Sequence, residues 1–170
     1  SKAIELDPEN ESYYFNRTTP YVKLKMYSEA EQDYLKAIEL NPDKEENYIW
    51  LGNLYKDDLE EPEKAIEQYL KILKFNPNYV EAYYSLGRTY LFYKENYEIA
   101  EQYLLKAIKV DSLYSGSFNV LGSLSVEREE YEKSIEYYSK AIELDPEIAS
   151  YYYYRALTYE TLKMYTDAEQ

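Results

Sequence analysis

The nine residues SKAIELDPE open the chain at Ser1–Glu9 and return unchanged at Ser139–Glu147. A second pair has the same offset, LKMYSEAEQ at Leu24–Gln32 and LKMYTDAEQ at Leu162–Gln170. Related phrases fill the interval: KAIELNP at Lys36–Pro42, KILKFNP at Lys71–Pro77 and KAIKVDS at Lys106–Ser112. Their final residues, with Pro8 and Pro146 at the two ends, are spaced by 34, 35, 35 and 34. A fixed period of this size marks a tandem array, in which one unit cannot bury its apolar face alone and stacked neighbours complete the core.

Between the proline-bearing turns, each unit carries two stretches with apolar residues at helical spacing. In the fourth, Phe118, Leu121, Leu124 and Val126 mark one helix; Tyr131, Ile135, Tyr138, Ala141, Ile142 and Leu144 mark the next. The prolines fall just past a helix end or, like Pro62, in a first turn, where a missing N–H costs nothing. Gly52, Gly87 and Gly122 share one register with Thr18 and Ala156, and Ala30, Ala65, Ala100, Ser134 and Ala168 share another. A mid-helix glycine costs ~1 kcal/mol relative to alanine. Three at one register therefore imply helices that cross too closely for a side chain.

On these residues the chain resembles the tetratricopeptide repeat. The fullest match is Tyr48, Leu51, Gly52, Tyr55, Ala65, Tyr69 and Pro77, with Ile72 in place of the usual alanine. The resemblance implies an all-α fold, a right-handed α-solenoid of antiparallel helix–turn–helix repeats over essentially the whole chain. On that frame residues 1–10 end a preceding repeat, full repeats occupy 11–44, 45–79, 80–114 and 115–148, and 149–170 is a truncated fifth. One-residue insertions fall near Glu60–Glu61 and near Asn96. The pentatricopeptide repeat has a similar period but reads RNA and would need a basic groove. This chain has 33 acidic against 19 basic residues, a net charge of −14.

That charge opposes a phosphate backbone and an anionic membrane surface, so no nucleic-acid partner is expected. Nor is membrane insertion, since no apolar run approaches the ~20 residues a spanning helix needs. Hydrophobic residues make up 45% of the chain, enough for a core. Cysteine is absent, which rules out disulfides and thiolate metal sites and leaves the compartment undetermined. Histidine, the commonest general base and transition-metal ligand, is absent too. The carboxylate clusters EREEYE at Glu127–Glu132 and DDLEEPE at Asp57–Glu63 lie on turns between helices and lack the spacing of a calcium loop. No nucleotide-binding or metalloprotease motif occurs. These features point to a protein that is not an enzyme and takes no cofactor or metal.

The family resemblance places the first helices of successive repeats along a concave face. The candidate ligand-binding residues there are Phe15, Asn16, Ile49, Trp50, Asn53, Tyr84, Arg88, Phe92, Asn119, Tyr153 and Tyr154. Aromatic side chains with a few amides and an arginine are the material of protein-binding hot spots. The family's clamp for a chaperone's C-terminal carboxylate needs lysine where Ile49 stands, and is absent. Glu46, Asp57, Glu81, Glu127 and Glu160, against Lys23, Lys56 and Arg88, favour a peptide with apolar anchors and some basic character. The expected function is thus a non-catalytic scaffold that binds a protein or peptide partner in this groove.

Two further expectations come from departures in the pattern. Pro20 lies inside the first helix of its repeat, where it removes a hydrogen bond to Asn16. A kink or break near Arg17–Thr19 follows. Ser1 and Gln170 both fall within second helices of the frame. This suggests either a stretch of a longer array or copies meeting head to tail, with Tyr159, Leu162 and Tyr165 of one near Ala3, Ile4 and Leu6 of the next.

Overall fold

The computed structural model describes residues 2–168, and side chains as far as Lys163. Ten α-helices follow one another with no strand among the described residues. They are α1 (Lys2–Leu6), α2 (Glu11–Lys23), α3 (Tyr27–Leu40), α4 (Glu45–Asn53), α5 (Pro62–Phe75), α6 (Val80–Phe92), α7 (Tyr97–Val110), α8 (Ser115–Glu127), α9 (Tyr131–Leu144) and α10 (Ala149–Ala168). A π-helical turn, Leu54–Asp58, continues α4. The fold is an all-α solenoid of helical hairpins. By its contacts the chain divides into two compact units, Ser1–Ala82 and Tyr83–Gln170.

Two kinds of turn alternate, each built by its own residues. Between hairpins an Asn or Asp ends the helix, and its carbonyl accepts from the N–H three residues on: Lys44 to Asn41 at 3.4 Å, Tyr79 to Asn76 at 3.3 Å, Tyr114 to Asp111 at 3.3 Å. Asn or Asp first and proline second is the residue order of a type I turn, and Pro42 and Pro77 take that second place. Within hairpins each turn carries one non-glycine residue at positive φ, namely Lys25 (59°), Glu60 (56°), Glu95 (49°) and Glu129 (60°). Two of these turns close on the fifth residue, Met26 N–H to Tyr21 O at 2.9 Å and Glu130 N–H to Ser125 O at 2.8 Å. The two with an inserted residue close on the sixth, Glu61 N–H to Tyr55 O at 2.7 Å and Asn96 N–H to Tyr90 O at 2.9 Å.

In the first unit the core gathers Ala30, Ala37, Leu51, Ala65, Tyr69 and Ile72, all fully buried. In the second, Leu91, Ala100, Leu104, Val120, Leu121 and Leu124 form one cluster. Tyrosine hydroxyls at the core's edge find partners, as Tyr48 does on the Pro42 carbonyl at 2.8 Å and Tyr55 on Glu31 at 2.6 Å. The glycine register behaves as helix crossing requires. A Cβ on Gly122 would meet Tyr138 Cε1 at 2.6 Å, one on Gly87 would meet Leu104 Cγ at 2.6 Å, and the ring of Tyr69 stands against Gly52.

The break expected at Pro20 does not occur: α2 runs unbroken through it. Proline costs only the bond to Asn16, and Asn16 is solvent-exposed, so water can serve its carbonyl. Thr18 Oγ1 also donates to the Phe15 carbonyl at 2.7 Å, one residue before the carbonyl that loses its bond. The irregular first helix is instead the next one, where α4 gives way to the π turn. Its Leu59 N–H reaches back five residues to Leu54 O at 3.1 Å, which absorbs the insertion expected near Glu60–Glu61.

Candidate functional site

Each unit holds one groove. In the first, α2 contributes Phe15, Thr19, Val22 and Lys23, spaced so that one helical face looks into a space of about 350 Å³. Trp50 and Asn53 enter from α4, and Leu54, Asp57 and Asp58 from the π turn. Phe15 meets Tyr34 of α3 edge-on at 5.9 Å. Asn53 is steadied from behind by Tyr69, whose hydroxyl donates to its Oδ1 at 2.8 Å. Trp50 is 51% exposed, a large ring left half in water at a groove wall. Asp57 and Asp58 border the same space. Partial burial and the nearby Asp58 carboxylate, which accepts from its hydroxyl, push the Tyr27 phenol up. Burial likewise raises Tyr34.

In the second unit a groove of about 450 Å³ lies between α6, α8 and α10. Tyr84, Arg88 and Phe92 come from α6 at intervals of four, which places them on one face. Asn119, Ser123 and Glu127 repeat that spacing on α8, and Tyr154, Leu157 and Thr161 line the α10 side. The guanidinium of Arg88 lies over the Tyr84 ring at 5.6 Å. Tyr84 meets Tyr114 edge-on at 5.2 Å, and a Cβ on Gly116 would stand 3.2 Å from its ring. Tyr138 stacks on Tyr154 at 6.0 Å and shares a hydrogen bond with Ser123 Oγ at 3.1 Å. Burial pushes the Tyr138 phenol up, and the hydrogen bonds of Ser123 and Ser134 act against that shift. Glu127 accepts from the Tyr97 hydroxyl, whose phenol is raised by partial burial and by that carboxylate.

The eleven candidate residues separate accordingly. Phe15, Trp50 and Asn53 meet in the first groove; Tyr84, Arg88, Phe92, Asn119 and Tyr154 meet in the second. Three fall elsewhere. Ile49 is 2% exposed and belongs to the core, which corrects its assignment to the groove. Asn16 is exposed outside the groove lining, and Tyr153 packs edge-on against Tyr154 at 5.5 Å without lining the space. Lys56, expected on the same face, is buried with its Nζ 3.2 Å from Asp57.

Sequence reasoning missed Tyr34 and Tyr138, which sit at packing positions of the repeat yet turn one edge to the groove. It also missed Leu54, Asp58 and Thr158. For Asp58 the signal was the insertion itself, because a widened turn changes which residues face inward. Among the described residues no group of three carboxylates converges to hold a metal ion. No described helix is long and apolar enough to cross a membrane.

Two family models match the chain, one described as TPR repeat over residues 58–92 and 122–163, the other as tetratricopeptide repeat over 12–44 and 80–112. Together they take in well over half of it. Among solved structures, the chain is similar to the MamA protein, at 26% identity and a TM-score of 0.71 over 93% of this chain and 85% of that one. It is similar to PilF of Pseudomonas aeruginosa at 25% identity and a TM-score of 0.76, over 94% and 72% of the two chains. A tetratricopeptide repeat protein of Parabacteroides merdae matches 99% of this chain and 66% of its own, at 25% identity and a TM-score of 0.79. A comparison with curated protein sequences gives no match.

Proposed function

Since the chain belongs to the tetratricopeptide repeat family, whose repeats form protein-interaction scaffolds and bind protein or peptide partners, we propose that its grooves hold peptide segments of a partner and that it does no chemistry on them. The observation that carries this reading is the first groove. There the sole tryptophan stands half exposed beside Phe15, Val22 and Leu54, with Asp57 and Asp58 at the edge. Tryptophan over an apolar floor is a hot-spot anchor, and a lysine or arginine stem can lie on its face while the charge meets the aspartates. The ligand is therefore an apolar residue next to a basic one. Peptide display on the immobilised protein tests this. Selected sequences should be rich in Leu or Phe beside Lys or Arg, and Trp50→Ala should weaken them at least about tenfold while circular dichroism stays unchanged. Equal binding to Trp50→Ala would reject the groove.

A second reading is head-to-tail association of copies. It is favoured by the exposure of Leu6 (75%) and Tyr159 (53%), two of the residues expected to meet. Tyr165, another of the six, lies outside the described side chains. Light scattering across a concentration series checks it: mass should rise with concentration, and Leu6→Glu should hold the protein monomeric.

A further inference from the structure

The second groove has a chemistry of its own. In this acidic chain Arg17 and Arg128 each meet a carboxylate at 2.7 Å. Arg88 does not: among the described residues it lies over Tyr84 and takes no carboxylate. Its ring support is braced by the edge of Tyr114 and by Gly116, which leaves no room for a side chain without moving Tyr84. On the facing helix, Asn119 Oδ1 is buried and has no hydrogen-bond partner. A buried acceptor without a donor is costly, and a ligand N–H would relieve it.

We propose that this groove binds an extended peptide segment carrying an acidic side chain beside an apolar residue. Arg88 takes the side-chain carboxylate in a charge-assisted pair, and Asn119 Oδ1 accepts a backbone N–H of the segment. The apolar residue lies against Phe92 and Leu157, both about half exposed. Glu127, at the same groove, repels a second carboxylate there and holds the segment to one acidic residue. This inference rests on reading the chain as a peptide scaffold. It adds that the two grooves select opposite charges, basic beside Trp50 and acidic beside Arg88.

The test is fluorescence anisotropy with labelled peptides, acetylated and amidated at their ends, in which leucines flank a single Glu, Gln or Lys. A fourth peptide carries only leucines and a free C-terminal carboxylate. Wild-type protein should prefer the Glu probe to the Gln probe by about 10- to 100-fold, the worth of a charged hydrogen bond. Arg88→Gln should abolish that preference, Asn119→Leu should weaken Glu and Gln probes alike, and Trp50→Ala should leave the Glu probe unaffected. The inference falls if wild type binds Glu and Gln equally, if Arg88→Gln still prefers Glu, or if only the free-carboxylate peptide binds. Should the Lys probe still bind through Trp50, the scaffold reading survives that failure; if no probe binds either groove, both fall.

Discussion

In the first unit Tyr69 is fully buried against Gly52 and donates its hydroxyl to Asn53; in the second, Tyr138 stands against Gly122 and shares its hydroxyl with Ser123. The clasp is the same, a tyrosine reaching across a glycine to the polar residue that follows it. The grooves in front differ. One is edged by Asp57 and Asp58 beside Trp50, the other by Arg88 over Tyr84. The small residue that lets two helices cross and the residue that lines the groove thus occupy adjacent positions. Five residues following the small register, Thr19, Asn53, Arg88, Ser123 and Leu157, all line a groove.

The largest difference between the units is expected in alkali. Tyr55 and Tyr79, both in the first unit, are phenols pushed far up, each first by burial and then by neighbouring glutamates. A phenol in the unfolded chain loses its proton near pH 10. The folded ones hold theirs longer, so the stability they confer is complete below that pH and is lost as pH rises through their folded values. The emission of Trp50, which reports on the first unit, should shift to the red at lower pH than the loss of helical ellipticity. Coincident transitions would mean that the two units titrate as one.

The shared clasp gives the next prediction. Gly52→Ala and Gly122→Ala should each cost about 2–3 kcal/mol, because the new methyl meets a buried ring rather than a flexible chain end. Urea denaturation checks this, and a large disparity would show that the clasps are not equivalent. Smaller effects come from polar atoms left without partners at one repeat position. Asn47 is fully buried with both its amide atoms unpaired, and Ser117 holds the equivalent place in the second unit with its Oγ unpaired. Ala82 already occupies that place, fully buried. Asn47→Ala should therefore stabilise by about 1 kcal/mol and Ser117→Ala by less. The smallest gain lies in the turns: Lys25→Gly and Glu129→Gly should each raise stability by roughly 0.5–1 kcal/mol, since only glycine adopts positive φ without cost. Thermal melts would register either change.

Much of the candidate site was legible in the sequence, because a repeat position predicts a helical face. Phe15, Tyr84 and Asn119 share one such position and all line grooves. Ile49 shares it too and is core, while at the next position Trp50 lines a groove and Asn16 does not. Those exceptions were out of reach of pattern alone. Near the π turn the wider backbone turns Lys56 inward and Asp58 toward the groove, and the insertion shows only that a residue is extra, not where the chain absorbs it.

What the sequence determined by itself is the hairpin frame: its period, its Asn/Asp-Pro turns, and the small residues that set how closely helices cross. Its authority stops at the turns within hairpins. At Leu24–Gln32 the chain turns, with Lys25 at positive φ and α3 returning against α2. A lysine there is strained, so the turn must gain elsewhere what that residue costs. The returning helix supplies it, bringing Asp33 to Arg17 at 2.7 Å and burying Tyr34 and Ala37. Those contacts join side chains on different helices, and only the tertiary structure decides them.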